Sequence, residues 1–429
     1  MSLWFFWLFL LLLGCGVPVF FVLLLAPGIS LFIAGQTQFY AQILSRLYNG
    51  MYSFPLMAIP FFILAGELMN SGGITLSLVR FAQSLIGHVR GGLAQVNILT
   101  SILFAGLSGS AVADTSALGS MLIPAMEKQG YSRKFSAAVT AASSVIGPII
   151  PPSGIMIIYA FIIKEVSPAA LFAAGIVPGL LVGFGLMLMT SYIARKRDYP
   201  VASRRATWGE TAGTFKGAFL PLLTPIIILG GILAGIFTPT EAAGVAAFYA
   251  LILSVFVLRT VTFAELPQVF YRAAVSSGVI MLLVGAAVAF AWVVTVSGAP
   301  RQITAFILGI SENPYLLLFL INIMLLFIGM FLDAGPAILI LGPILSPIMA
   351  QLGVHPLHFA IIMCVNVTVG LATPPMGLEL FTAASISKEK VEAIARELLP
   401  FLAIEIAVIF LLTYVPALSM TVPRLLGWA

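Results

Sequence analysis

Apolar residues fill block after block of this chain, and short clusters of charged and small polar residues part the blocks. A helix needs about 20 predominantly apolar residues to cross a bilayer. By that measure spans are predicted near 3–25, 28–46, 51–70, 135–163, 168–194, 217–236, 239–259, 268–297, 356–386 and 398–421. The second is amphipathic through Gln36, Gln38, Gln42 and Arg46. Two more stretches, 91–127 and 302–351, are each about 40 residues long and are interrupted midway by small polar residues, which predicts re-entrant hairpins. Breaks inside a membrane are tolerated only where the backbone faces protein or a water-filled cavity.

Composition agrees. Of 429 residues, 61% are hydrophobic and only 8% charged, and the mean hydropathy is +1.14. A soluble domain carries roughly a quarter of its residues as Asp, Glu, Lys and Arg. The predicted fold class is an all-α polytopic membrane protein, one compact unit of about ten transmembrane helices with two hairpins. The net charge is +5, but the 20 Lys and Arg are too dispersed for a nucleic-acid surface. Cys15 and Cys364 lie far apart in apolar runs, and three histidines leave little for a haem or zinc centre. No Gly-Lys-Ser/Thr phosphate loop occurs. Leu12-Leu13-Gly14-Cys15 looks like a lipoprotein cleavage site, but Trp4 to Phe9 carries no Lys or Arg, so this segment reads as the first membrane helix.

The loops set an orientation. Arg195, Lys196, Arg197, Arg204, Arg205 and Lys216 share a face with Lys128, Arg133, Lys134, Arg259, Arg272, Lys388, Lys390 and Arg396. The opposite face keeps Arg46, Lys164, Arg301 and Arg424. Positive loops face the cytoplasm, so both termini are expected outside, on the periplasmic side.

The chain repeats itself at an offset of 223 residues. Gly106-Leu-Ser-Gly-Ser-Ala-Val-Ala-Asp114 aligns with Gly329-Met-Phe-Leu-Asp-Ala-Gly-Pro-Ala337, and Gly147-Pro-Ile-Ile-Pro-Pro-Ser-Gly154 with Gly370-Leu-Ala-Thr-Pro-Pro-Met-Gly377. Five crossings separate the two hairpin tips, so the second hairpin enters from the opposite face and the repeats are inverted. The expected division is 1–194 and 217–429, each with a hairpin and a broken helix (135–163 and 356–386), around a basic loop at 195–216. Inverted repeats with broken helices place substrate and coupling ions near the bilayer midplane.

Pro151 and Pro152 deprive the carbonyls of Gly147 and Pro148 of their helical donors, and Pro374 and Pro375 do the same to Gly370 and Leu371. A sodium ion can satisfy such oxygens, helped by the hydroxyls of Ser153 and Thr373. Ser108-Gly109-Ser110 and Asp333-Ala334 each precede a short helix, where Ser and Asp are good N-caps. Half-helix N-termini attract anions and the carbonyl ends attract cations. Two such units predict two sodium sites flanking one substrate position at Ser108, Gly109, Ser110, Ser153, Asp333, Ala334 and Thr373. Asp114 reads as a brace or cap for its hairpin arm and Glu241 as a helix-start cap. Glu67, Glu379 and Glu405 read as interhelical anchors or proton carriers.

These motifs, with Phe237-Thr-Pro-Thr-Glu-Ala-Ala243, resemble the large membrane subunit of tripartite ATP-independent periplasmic (TRAP) transporters over nearly the whole chain. The resemblance implies an elevator-type secondary transporter of the bacterial inner membrane. It implies a small four-helix (Q-type) membrane partner and a periplasmic (P-type) substrate-binding protein. The cargo would be an organic acid, sialic acid or a C4-dicarboxylate, imported with at least two Na+. Carried onto matching positions, the first sodium site would use Ser108, Ser110, Gly147, Ile150 and Pro151. The second would use Gly329, Asp333, Gly370, Thr373 and Met376, mostly through backbone oxygens. A monovalent anion entering against about 100 mV costs about 2.3 kcal/mol and each sodium entering gains the same, so one sodium offsets one carboxylate charge. Rival readings are a stand-alone proton-coupled anion carrier, with Glu67, Asp333 or Glu379 titrating, a passive channel, and an intramembrane hydrolase on Ser108 or Ser110. The hydrolase lacks a base, because His355 and His358 are expected in an external loop and His88 in a cytoplasmic one.

Overall fold

A computed structural model describes residues 4–71, 73–201, 204–298 and 313–428, together with 302, 309 and 311. Among these residues the regular structure is entirely helical. Six segments are long and apolar enough to cross a membrane: Phe54–Ser71, Pro168–Lys196, Trp208–Leu233, Pro239–Val257, Leu266–Val296 and Ala334–Gln351. The first five coincide with expected spans, and the last is an arm of the second expected hairpin. The expected span 398–421 is instead a pair, Val391–Tyr414 and Ala417–Leu425, bent by 59°.

The N-terminal region departs from expectation. Spans 3–25 and 28–46 are replaced by three shorter helices, α1 (Trp4–Gly14), α2 (Val19–Ile33) and α3 (Tyr40–Met51). Gly16, at φ +78°, and Pro18, which has no N–H to donate, break the first apolar run. Gln36 and Gln38 precede α3 and Gln42 lies in its first turn, a surface-type helix in which only Ile43 and Gly50 are buried. Sequence reading also missed a helix at Ile74–Ile86, which buries Ile74, Leu78, Val79 and Ala82 at helical spacing.

The remaining helices are α4 (Ala58–Ser71), α5 (Ile74–Ile86), α6 (Gly92–Ser108), α7 (Ala111–Lys128), α8 (Arg133–Ser144), α9 (Gly154–Ile162), α10 (Pro168–Lys196), α11 (Trp208–Leu233), α12 (Pro239–Ile252) and α13 (Leu266–Val296). After them come α14 (Pro314–Gly329), α15 (Ala334–Gln351), α16 (Pro356–Gly370), α17 (Leu378–Ser387), α18 (Val391–Tyr414) and α19 (Ala417–Leu425). Residues 303–308, in the first arm of the second expected hairpin, lie outside the described residues. Helix starts recur 223 residues apart: Ala111 and Ala334, Arg133 and Pro356, Pro168 and Val391. Thr207 with Glu210 and Thr238 with Glu241 close capping boxes, each stabilising its helix by about 1 kcal/mol.

Packing sorts the helices into two bundles that cut across the repeats. In the frame, α13 packs on α2, α3 and α4, while α12 joins α4 and α11 joins α5. In the core, α8 packs on α7, α17 and α18, α16 packs on α14 and α15, and α10 packs on α18 and α19. The seam runs along α6 with α4 and α5, and along α13 with α15. Arg90 pairs with Asp198, and Arg197 with Glu397 at 2.6 Å, which gathers three chain segments on the basic face.

Candidate functional site

Two helix interruptions meet two hairpin turns inside the core bundle. α8 stops at Ser144, and α9 restarts at Gly154 with Ser153 Oγ accepting from the Met156 N–H at 3.4 Å. α16 stops at Gly370, and α17 restarts at Leu378. The Pro151–Pro152 and Pro374–Pro375 bonds are both cis. In the first unit, Gly109 holds φ +60° against the break, where an added Cβ would lie 3.1 Å from the Pro152 carbonyl oxygen. In the second, the Gly377 N–H donates to the Met330 carbonyl at 3.1 Å. There Gly329 and Gly370 touch backbone to backbone, so a Cβ on Gly370 would lie 2.5 Å from Gly329 Cα.

The carbonyls freed by proline are not equivalent in the two units. Among the described residues, none of the carbonyls from Gly147 to Pro152 accepts a backbone hydrogen bond. The expectation for the second unit needs correction, because Gly370 O accepts from Thr373 N at 2.9 Å and Leu371 O from Glu379 N at 3.1 Å. The first donor precedes the prolines, and the second comes from the chain after Pro375, which curls back onto Leu371. Among the described residues, the carbonyls there that accept no backbone hydrogen bond are those of Ala372 to Met376.

Both hairpin tips line one cavity of about 370 Å³ between the bundles. The core contributes Gly109, Ser110, Pro152, Gly154, Asp333 and Ala334, while Phe62 of α4 and Leu283 of α13 stand on the apolar frame side. Three half-helices, α7, α9 and α15, present their first residues to it. Ser110 Oγ accepts from the Ala113 N–H at 3.4 Å, and Asp333 Oδ1 from the Ala334 N–H at 2.8 Å. Each half-helix N-terminus carries a partial positive charge toward the cavity, and the Asp333 carboxylate at its edge offsets part of that field.

Of the residues expected around substrate, Gly109, Ser110, Asp333 and Ala334 reach this cavity, while Ser153 and Thr373 do not line it. Thr373 donates its hydroxyl to the Val369 carbonyl at 2.9 Å. The side chain of Ser108 lies outside the described residues. Among the expected sodium ligands, Gly147, Pro151, Gly329 and Gly370 are buried, Ile150 is half-buried, and the Met376 side chain is 49% exposed. The frame residues of the cavity escaped sequence reading, since an apolar wall residue looks like any other apolar residue in a membrane helix.

The acidic residues divide by surroundings. Asp114 is buried against the break, and a Cβ on Gly147 would lie 2.4 Å from its Oδ2. Glu67 accepts from Arg272 Nε at 2.9 Å and so joins α4 to α13. Glu379 and Glu405 are fully buried, and their carboxylate oxygens have no hydrogen-bond partner among the described residues. His358 is not in an external loop: it lies in the first turns of α16, buried, with Nδ1 2.7 Å from Ser419 Oγ and Nε2 3.3 Å from the Thr413 carbonyl. Both ring nitrogens are engaged, so it still offers no base for a serine hydrolase.

Fold and site together define a multi-pass helical membrane permease rather than an enzyme. Residues 5–418 match the family described as tripartite ATP-independent periplasmic transporter, DctM component. The chain belongs to that family and is a large permease subunit of the TRAP type. It is 40% identical to the sialic acid TRAP transporter large permease protein SiaM of Vibrio cholerae, over 96% of each chain. It is equally identical, at 40%, to the C4-dicarboxylate large permease DctM of Pseudomonas aeruginosa over 89% of each chain. The YdaH transporter of Alcanivorax borkumensis shares the fold, with a TM-score of 0.63 at 16% identity over 93% of this chain and 90% of that one.

Proposed function

We propose that this chain is the permease of a sodium-coupled secondary importer of an organic acid, working by an elevator movement of the core bundle against the frame. The observation that carries the proposal is the convergence of three half-helix N-termini and both hairpin tips on one cavity at the seam. That field suits a carboxylate, and the relatives named for sialic acid and C4-dicarboxylates support the same cargo class. The carbonyls of Gly147 to Pro152, without backbone donors among the described residues, suit at least one Na+, and the open carbonyls after Leu371 with Asp333 suit a second. The bundles draw helices from both halves of the chain, as a moving unit built from inverted repeats requires. A relative named DctMQ, of which this chain covers 65%, supports a Q-type membrane subunit as partner. A periplasmic binding protein would deliver the cargo in the bacterial inner membrane, with both termini on the periplasmic side.

Uptake in proteoliposomes holding this chain, its small partner and the cognate binding protein tests the proposal. A panel of sialic acid, succinate and isethionate should show sodium-dependent accumulation of one member. A second reading, proton coupling, is favoured by Glu379, whose buried carboxylate has no hydrogen-bond partner. Uptake driven by a proton gradient in sodium-free vesicles would establish it instead.

A further inference from the structure

A second cavity, of about 840 Å³, lies beside the first on the face opposite the basic loops. Leu339 of α15 borders both cavities, so one side chain stands where they adjoin. The larger cavity has walls from both bundles: α3 and α13 on the frame side, α9 and α15 on the core side. Among the described residues, two that line it are charged, Arg46 from the frame and Lys164 from the core, and no Asp or Glu lines it. Glu165 follows Lys164 in the chain but does not line the cavity. Neither cation has an ion-pair or hydrogen-bond partner among the described residues.

That arrangement is unusual for its face. Positive charge is sparse there, yet two of the four Lys and Arg assigned to it line this single cavity. Low-dielectric walls on either side focus the field of two unpaired cations into the opening and raise the local concentration of anions. Arg46 can take a carboxylate through two N–H groups at once, and Lys164 can add a point charge.

We infer that Arg46 and Lys164 form an anion-collecting antechamber, a first subsite for the carboxylate of the cargo before it reaches the cavity at Ser110 and Asp333. The inference rests on the organic-acid reading above. Because one cation belongs to each bundle, the subsite exists only while frame and core hold their present relation. Movement of the core past the frame separates the two charges and dissolves the subsite behind the departing cargo.

Two measurements test this. In the full reconstituted transporter, Arg46→Gln with Lys164→Gln should raise the KM of uptake while Vmax stays near that of the parent, and the effect should shrink as salt is added. An unchanged KM overturns the inference. The second measurement needs no transport: in a Cys15→Ser background, Ser167→Cys places a thiol on the cavity wall. An anionic methanethiosulfonate should label it faster than a cationic one, by about tenfold, and Arg46→Gln with Lys164→Gln should erase that preference. Equal labelling of the parent by both reagents overturns the inference even if uptake is normal. Preferential anionic labelling with no organic-acid uptake would sustain the charged chamber and reject the cargo class.

Discussion

The two hairpin-and-break units share their architecture but not the placement of their acid. In the first, Ser110 caps the half-helix and Asp114, one turn further, presses its carboxylate on Gly147. In the second, Asp333 takes the cap position and faces the cavity, while Ala337 stands where the brace would be. The first unit is joined through a carboxyl group, the second by Gly329 and Gly370 in direct backbone contact. Each hairpin has one acid near its tip, Asp114 in the first, which holds the fold, and Asp333 in the second, which shapes the site. Duplicated backbones can therefore stay similar while the chemistry of each copy diverges.

The largest effect should come from Gly370→Ala. Its Cβ would meet main-chain atoms of Gly329 that cannot move independently, so uptake should vanish and thermal melting should fall by the equivalent of about 1–3 kcal/mol or more. Melting unchanged from the parent would show that the backbone contact is looser than described. Gly147→Ala should be milder, because the atom it meets is a side-chain terminus. Combining it with Asp114→Ser should recover part of the loss, a coupling of about 1 kcal/mol that strict additivity in a double-mutant cycle would disprove.

Asp333→Ala should weaken sodium activation of uptake and remove a cap worth about 1 kcal/mol. Ser110→Ala should keep sodium activation and raise KM several-fold. If sodium titrations of the two variants coincide, the acid of the second unit has no special part in ion binding. Arg272→Gln, outside both units, should have the smallest effect. It breaks a half-exposed pair with Glu67 and should shift melting by the equivalent of about 1 kcal/mol or less, with KM unchanged.

Much of this was legible in the chain. Matching Gly and Pro residues 223 apart announced the interruptions, and the helices do stop at Ser144 and Gly370 and resume at Gly154 and Leu378. Glu241 was legible as a cap because Thr-x-x-Glu is a local signal, settled within four residues. The N-terminal spans were misjudged because hydropathy averages over Gly16 and Pro18, whereas the backbone responds to each residue singly. His358 was misplaced because its partners, Ser419 and Thr413, come from helices about 55 residues away or more.

By itself the sequence determined that this chain lives in a bilayer, that its helices break in two related places, and which residues can cap the pieces. Those properties follow from transfer energies and local backbone chemistry, which depend on near neighbours in the chain. Only the tertiary structure decided that both hairpin tips open on one cavity, that Gly370 O and Leu371 O find donors, and that Arg46 and Lys164 line the same chamber. These depend on which surfaces of distant helices meet, and in a chain so uniformly apolar many pairings look alike until the packed shape selects one.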